Sequence, residues 1–101
     1  MSHNVFADMG LPNPEEELTK AHLVLLLGKV IEEKGLTREQ AASRLDVEVQ
    51  PLSDLLDGGW DGFSTSDLFR FANALGRTVR IIIDSRDAAP EEKARTLVLT
   101  G

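Results

Sequence analysis

Residues 36–60, LTREQAASRLDVEVQPLSDLLDGGW, decide how the chain folds. Thr37 and Gln40 stand at the spacing of a capping box, in which each side chain satisfies an unpaired N–H at a helix start. Ala41, Ala42 and Leu45 then predict a short helix with a small-residue face that a second helix can approach closely. After a turn at 46–48, the pattern predicts another helix over about Val49 to Leu56. Pro51 falls in its first turn, where a missing N–H costs little. Leu52, Leu55 and Leu56 supply its buried side. From Asp46 to Trp60 there is no Lys or Arg, and there are four acids: Asp46, Glu48, Asp54 and Asp57.

Upstream, residues 1–13 read as an irregular arm. The stretch NPEEELTKAHLVLLLGKVIEEKG (13–35) carries helix signals at both ends. Asn13 suits the N-cap and Pro14 the first helical position, and Glu15, Glu16 and Glu17 complement the positive end of the dipole. Gly35 suits a C-terminal stop. Leu23, Leu27, Val30 and Ile31 recur at helical spacing and predict a core face, which Val24 and Leu26 widen. Downstream, DGGWDGF (57–63) reads as a loop, and Ser64 with Asp67 repeats the capping signature. Leu68, Phe69, Ala72 and Leu75 are the expected core residues of that last helix, and Gly76 ends it. RTVRIIID (77–84) switches to period two and is β-branched, which predicts a strand. Residues 85–101 form a polar tail in which TLVLT (96–100) could pair as a second short strand. The expected organisation is thus an arm (1–13), a helical domain ending in a strand (14–84), and a tail (85–101).

The composition bounds the function. A chain of 101 residues with 42% hydrophobic and 28% charged residues fits a single ordinary folded domain. Without cysteine there is no disulfide framework, thiol chemistry or Cys-based metal site. His3 and His22 have no ligand-spaced acids, so neither a metal nor any other cofactor is expected. No nucleophile with a His partner and no Gly-rich phosphate motif after a strand is present, so the inventory points away from an enzyme. MSHNVFADMGLPN lacks the pattern of a secretory signal, which gives a cytoplasmic expectation. The longest apolar run, Leu23 to Leu27, is far short of the roughly 20 residues of a membrane span. The net charge of −6 argues against a generic polyanion binder, since such affinity comes from neutralising phosphates.

Taken in order, NVFADMGLPNPEE (4–16), EEKGLTREQAASRL (32–45), LSDLLDGGWDGFS (52–64) and LFRFANALGRTVRIII (68–83) resemble the Cro/C1-type (XRE) helix-turn-helix transcriptional regulators, in the branch of HigA-like antitoxins. The resemblance implies a mainly α fold, a compact four- to five-helix Cro/C1-repressor-like domain with a C-terminal β-strand pairing across a dimer. It implies a repressor or antitoxin of a toxin–antitoxin operon that binds double-stranded operator DNA as a homodimer, with a small basic toxin as a further partner. Carried onto this sequence, the reading helix begins at Val49, and Gln50, Ser53 and Asp54 take the outward positions that meet base edges. Gln50 suits an adenine edge, because its amide both donates and accepts. Arg38 and Gln40 match phosphate-contacting positions. The helix start at Ser64 can bind a phosphate through backbone amides. Val79, Ile81 and Ile83 are the expected dimer contacts, since a lone strand leaves an unsatisfied edge.

The sequence departs from the family where DNA should lie. Asp46 replaces the glycine frequent in the turn between the two helices. Residues 36–59 hold two basic side chains (Arg38, Arg44) against five acidic ones (Glu39, Asp46, Glu48, Asp54, Asp57). Such a module gains little from counterion release on its own. A second reading therefore stands beside the first: an antitoxin-like module that neutralises a toxin with weak or lost DNA binding. Trp60 is expected to pack against the core edge beside the glycine-rich loop, and Asp54 and Asp57 to meet solvent or a partner.

Overall fold

The computed structural model describes residues 14–91 and 94–99. The arm at 1–13, with the expected cap at Asn13, lies outside the described residues, as does the end of the TLVLT segment. Among the described residues four α-helices follow one another: α1 (Pro14–Glu33), α2 (Arg38–Leu45), α3 (Val49–Leu56) and α4 (Thr65–Ala74), with a 3-10 turn at Trp60–Gly62 before α4. The long α1 is the platform, packing on α4, α3 and the 3-10 turn, while α2 packs on α3 and α4.

Both predicted capping boxes form. Thr37 Oγ accepts from the Gln40 N–H at 3.1 Å while Gln40 Oε1 accepts from the Thr37 N–H at 2.8 Å. Ser64 and Asp67 repeat the exchange at the start of α4. The four helix ends share one device. Leu36, Val47, Gly59 and Arg77 each donate to the carbonyl five residues earlier, on Ile31, Ala42, Asp54 and Ala72. The residue just before each donor (Gly35, Asp46, Gly58 and Gly76) lies at positive φ. Gly58 and Gly59 are both required at the end of α3. Gly58 has φ 110°, and a Cβ on Gly59 would stand 3.0 Å from the Asp54 carbonyl oxygen.

The core joins Val24, Leu27 and Ile31 of α1 to Ala41, Ala42 and Leu45 of α2, Leu52 and Leu55 of α3, and Leu68, Phe71 and Leu75 of α4. Two expectations need correction. Val24 lies at the centre of the α1 core face rather than widening it, and Leu23 and Val30 are half-buried. On α4 the buried ring is Phe71, edge-on to Phe63 with centroids 5.8 Å apart, while Phe69 is half-buried. Positions 68, 71 and 75 form the ridge that enters the core, and Phe69 and Ala72 flank it toward α1. Lys20 is also buried, on the same face of α1 as Val24 and Leu27. Its four-carbon stem can lie along the core while its ammonium reaches outward, and no buried side-chain polar atom among the described residues lacks a partner.

Residues 77–84 form no strand ladder among the described residues. Val79 is half-buried, and Ile81, Ile82 and Ile83 are 73%, 82% and 90% exposed. Two bonds fix where this segment leaves the body: Arg77 pairs with Glu33 at 3.1 Å, and the Asn73 amide donates to the Arg77 carbonyl. Among the described residues, no helix is long and apolar enough to cross a membrane.

Candidate nucleic-acid interface

Helix α3 presents its site through its own period. Leu52 and Leu55 are buried and Ser53 and Leu56 half-buried, which leaves Gln50, Pro51, Asp54 and Asp57 facing outward. Val49 opens the helix and is partly exposed. Unlike α2 and α4, α3 has no side-chain cap: Glu48 occupies the N-cap position without bonding the helix start. Pro51 brings no N–H, so the uncapped donors here are the amides of Val49 and Gln50.

The outward stripe is wired internally. Gln50 Nε2 donates to Asp54 Oδ1 at 2.9 Å, one helical turn on. A carboxylate can only accept, so this bond fixes which end of the Gln50 amide is nitrogen. Nε2 keeps a second hydrogen and Oε1 keeps its lone pairs. That is the donor–acceptor pair an adenine edge requires.

Asp57, just past α3, holds Arg38, the first residue of α2, in a two-pronged bond: Nη2 to Oδ1 at 2.9 Å and Nη1 to Oδ2 at 3.3 Å. This hydrogen bond, more than the charge itself, holds the Asp57 carboxyl below its ordinary range. The same bond raises the Arg38 guanidinium above its own ordinary value. The pair ties the start of α2 to the end of α3, so the two helices are joined by a polar clasp as well as by their apolar faces. Two of the five acids that looked repulsive thus have partners inside the module, Asp57 with Arg38 and Asp54 with Gln50. The sequence holds Arg38 and Asp57 nineteen positions apart, and only the packing of α2 on α3 makes them neighbours.

The remaining candidates are placed separately. Gln40 is exposed, but its Oε1 is engaged in the capping box, which leaves its amide nitrogen outward. Ser64 caps α4, its hydroxyl oxygen accepting from Asp67 N–H at 3.1 Å. The backbone N–H of Ser64, with help from Arg70, holds the Asp67 carboxyl low. Among the described residues no cluster of His, Asp or Glu could hold a metal ion. Trp60 packs half-buried, and its indole N–H donates to Glu17 Oε2 at 2.8 Å, pinning the loop after α3 to the start of α1. That contact was not legible in the sequence: Glu17 carried only a helix-dipole signal.

Residues 5–84 match the helix-turn-helix domain family. The fold is similar to a solved structure described as an XRE family transcriptional regulator, with TM-score 0.82 and 32% sequence identity, over 89% of this chain and 100% of that one. No curated protein matches the chain.

Proposed function

The chain belongs to the helix-turn-helix domain family, and we propose from that premise that it is a sequence-specific DNA-binding transcriptional regulator that binds its operator as a homodimer. The similar solved structure, described as an XRE family transcriptional regulator, supports the same reading. The observation that carries it is the state of α3: uncapped at its N-terminus, with Gln50 exposed there and its amide oriented by Asp54. In this reading Gln50 contacts an adenine edge and Asp54 is its positioning residue rather than a repelling charge. Ser53 and Val49 flank that contact, Arg38 and Gln40 lie at the start of α2, and the amides at Ser64 offer a phosphate site. The dimer forms through residues 79–83, whose isoleucines are largely exposed among the described residues.

The finer role we propose is that of an antitoxin repressor in a toxin–antitoxin operon. The acidity of the chain supports a cationic protein partner, a small basic toxin, which would add to DNA affinity when docked. The same acidity favours the second reading, a toxin-neutralising module with lost DNA binding.

The test is titration of the protein with its own upstream DNA at low and moderate salt. Gln50→Ala is expected to cost about 1–3 kcal/mol on the cognate site and to relax specificity there. Asp54→Ala should give part of the same loss of specificity, although it removes a negative charge. A protein that binds no DNA at low salt, with or without a basic partner, would leave the toxin-binding reading in possession.

A further inference from the structure

The segment that leaves α4 carries an unusual pattern. In VRIIID (79–84) both faces of an extended chain are apolar at the centre, and one face is flanked by opposite charges. Val79, Ile81 and Ile83 share one parity. Arg80, Ile82 and Asp84 share the other. Residues 77–84, of both parities, border a concavity with Leu23 and Leu26 of α1 and Phe69 of α4. Neither Arg80 nor Asp84 makes an ion pair within the chain among the described residues.

We infer that the occupant of this edge is a second copy of the chain, paired antiparallel in a single register whose two-fold axis passes through Ile82. The inference rests on the homodimer reading above and adds the alignment of the two strands. Symmetry restricts the choice first. A two-fold axis perpendicular to a two-stranded antiparallel ribbon keeps each residue on its own face. Residues directly opposite must therefore have the same parity, and the axis must pass through a residue rather than between two.

Charge then selects among the allowed registers. An axis at Arg80 sets Arg80 against Arg80 of the partner subunit, and an axis at Asp84 sets two aspartates together. An axis at Ile83 brings Arg80 against Arg86 of the partner subunit. An axis at Ile81 sets Arg80 against Ile82 of the partner subunit and leaves Asp84 facing Thr78 of the partner subunit. With the axis at Ile82, Arg80 faces Asp84 of the partner subunit twice over, once on each side of an Ile82 pair. On the opposite face Ile81 meets Ile83 of the partner subunit. Like charges opposite each other destabilise a strand pair and opposite charges stabilise it, so this register is self-complementary. Because Arg77 is anchored to Glu33 and Asn73, the register also fixes how far apart the two reading helices stand.

The test is a charge exchange read by sedimentation. Arg80→Asp alone and Asp84→Arg alone should each weaken self-association about ten-fold or more, because two attractive pairs become two repulsive ones. Mixing the two variants should restore a dimer, now a heterodimer with both pairs attractive, and the double variant should dimerise by itself. The chain has no cysteine, so Ile82→Cys gives a second readout. It should cross-link to itself on mild oxidation, since residues opposite each other across antiparallel strands lie within disulfide range. Self-cross-linking of Ile81→Cys but not Ile82→Cys, with no rescue on mixing, would overturn the register while leaving the strand as the interface. Dimers of unchanged affinity in every variant, with no cross-link at 81, 82 or 83, would overturn the interface itself.

Discussion

From Thr37 to Gly76 the chain closes on itself, whereas from Thr78 onward it leaves its most apolar side chains in water. In the body, α2 and α4 begin in capping boxes and every helix ends by returning an N–H to a carbonyl five residues back. Leu52, Leu55, Leu68 and Leu75 are essentially sealed. In the tail, Ile81, Ile82 and Ile83 stay largely exposed, as do Leu97 and Leu99, and the backbone of 77–84 has no ladder. The body's free energy comes from within one chain; the tail has the composition of a strand and the exposure of an interface. Stability of the first should be a property of the monomer, and order in the second a property of concentration.

The largest effect that sharpens this contrast is expected in the body. Leu55→Ala removes a fully buried side chain from the last turn of α3 and should cost about 2–5 kcal/mol, independent of protein concentration. Urea melts at two concentrations check both halves of the statement. A loss well under 1 kcal/mol would mean that α3 is held by something other than this core.

Next in size is the tail. If the homodimer proposed above forms through 79–83, Ile81→Pro removes a ladder donor and should abolish it, while far-UV circular dichroism of dilute protein keeps its helical signal. The concentration dependence of the melting temperature should vanish with it. If the variant instead loses its helices, the tail is part of the body and the contrast fails.

Much of the body was legible beforehand because its signals are local. Thr37 with Gln40 and Ser64 with Asp67 are contacts three residues apart, and the four-helix organisation follows from such caps and from Gly35, Gly58 and Gly76. What escaped was set by packing between helices. Phe69 and Phe71 stand two residues apart on α4, and only the docking of the helix decides that Phe71 joins the ridge while Phe69 flanks it. Lys20 enters the core face because its stem is apolar, which a charge-based reading discards. At the site, Gln50 and Ser53 could be nominated from position in α3, but the Arg38–Asp57 clasp needed the two helices placed side by side. The β-branched pattern of 77–84 predicts a strand, yet a strand requires a second strand beside it, and none forms among the described residues.

A smaller effect follows from acid. Asp57 and Asp67 are both held low in the folded chain, first by the Arg38 hydrogen bond and by the Ser64 backbone N–H respectively. A depressed carboxylate contributes stability that is complete above its unfolded value and is lost as pH falls through its lowered folded value. Both contacts therefore hold at neutral pH, and their contribution disappears on the acid side of the ordinary carboxylate value of 3.8. Asp57→Asn and Asp67→Asn should each flatten the acid limb of a stability–pH curve and leave the tail-dependent concentration effect unchanged. A variant whose curve keeps the wild-type slope below pH 4 would show that its carboxylate is not bonded in solution.

The smallest effect concerns Asp46, where the body departs from its own rule. Of the four positions that take positive φ at the helix ends, three are glycine, and Asp46 adopts φ 56° between α2 and α3. Left-handed backbone is disfavoured for a residue with a Cβ, and Asp tolerates it better than most because its short side chain can bond locally. Its carboxylate also stands at the C-terminal end of α2, where the helix dipole is negative and an acid is unfavourable. Both terms point the same way, so Asp46→Gly should stabilise the monomer by about 0.5–1.5 kcal/mol. Asp46→Asn separates them, keeping the Cβ while removing the charge, and should recover the electrostatic part alone. If the protein is the DNA-binding regulator proposed above, either change also removes one acid from the module that faces phosphates. It should then tighten operator binding slightly, without altering which sequence is preferred. Destabilisation by glycine in urea melts would mean that Asp46 makes a contact worth more than the strain it carries.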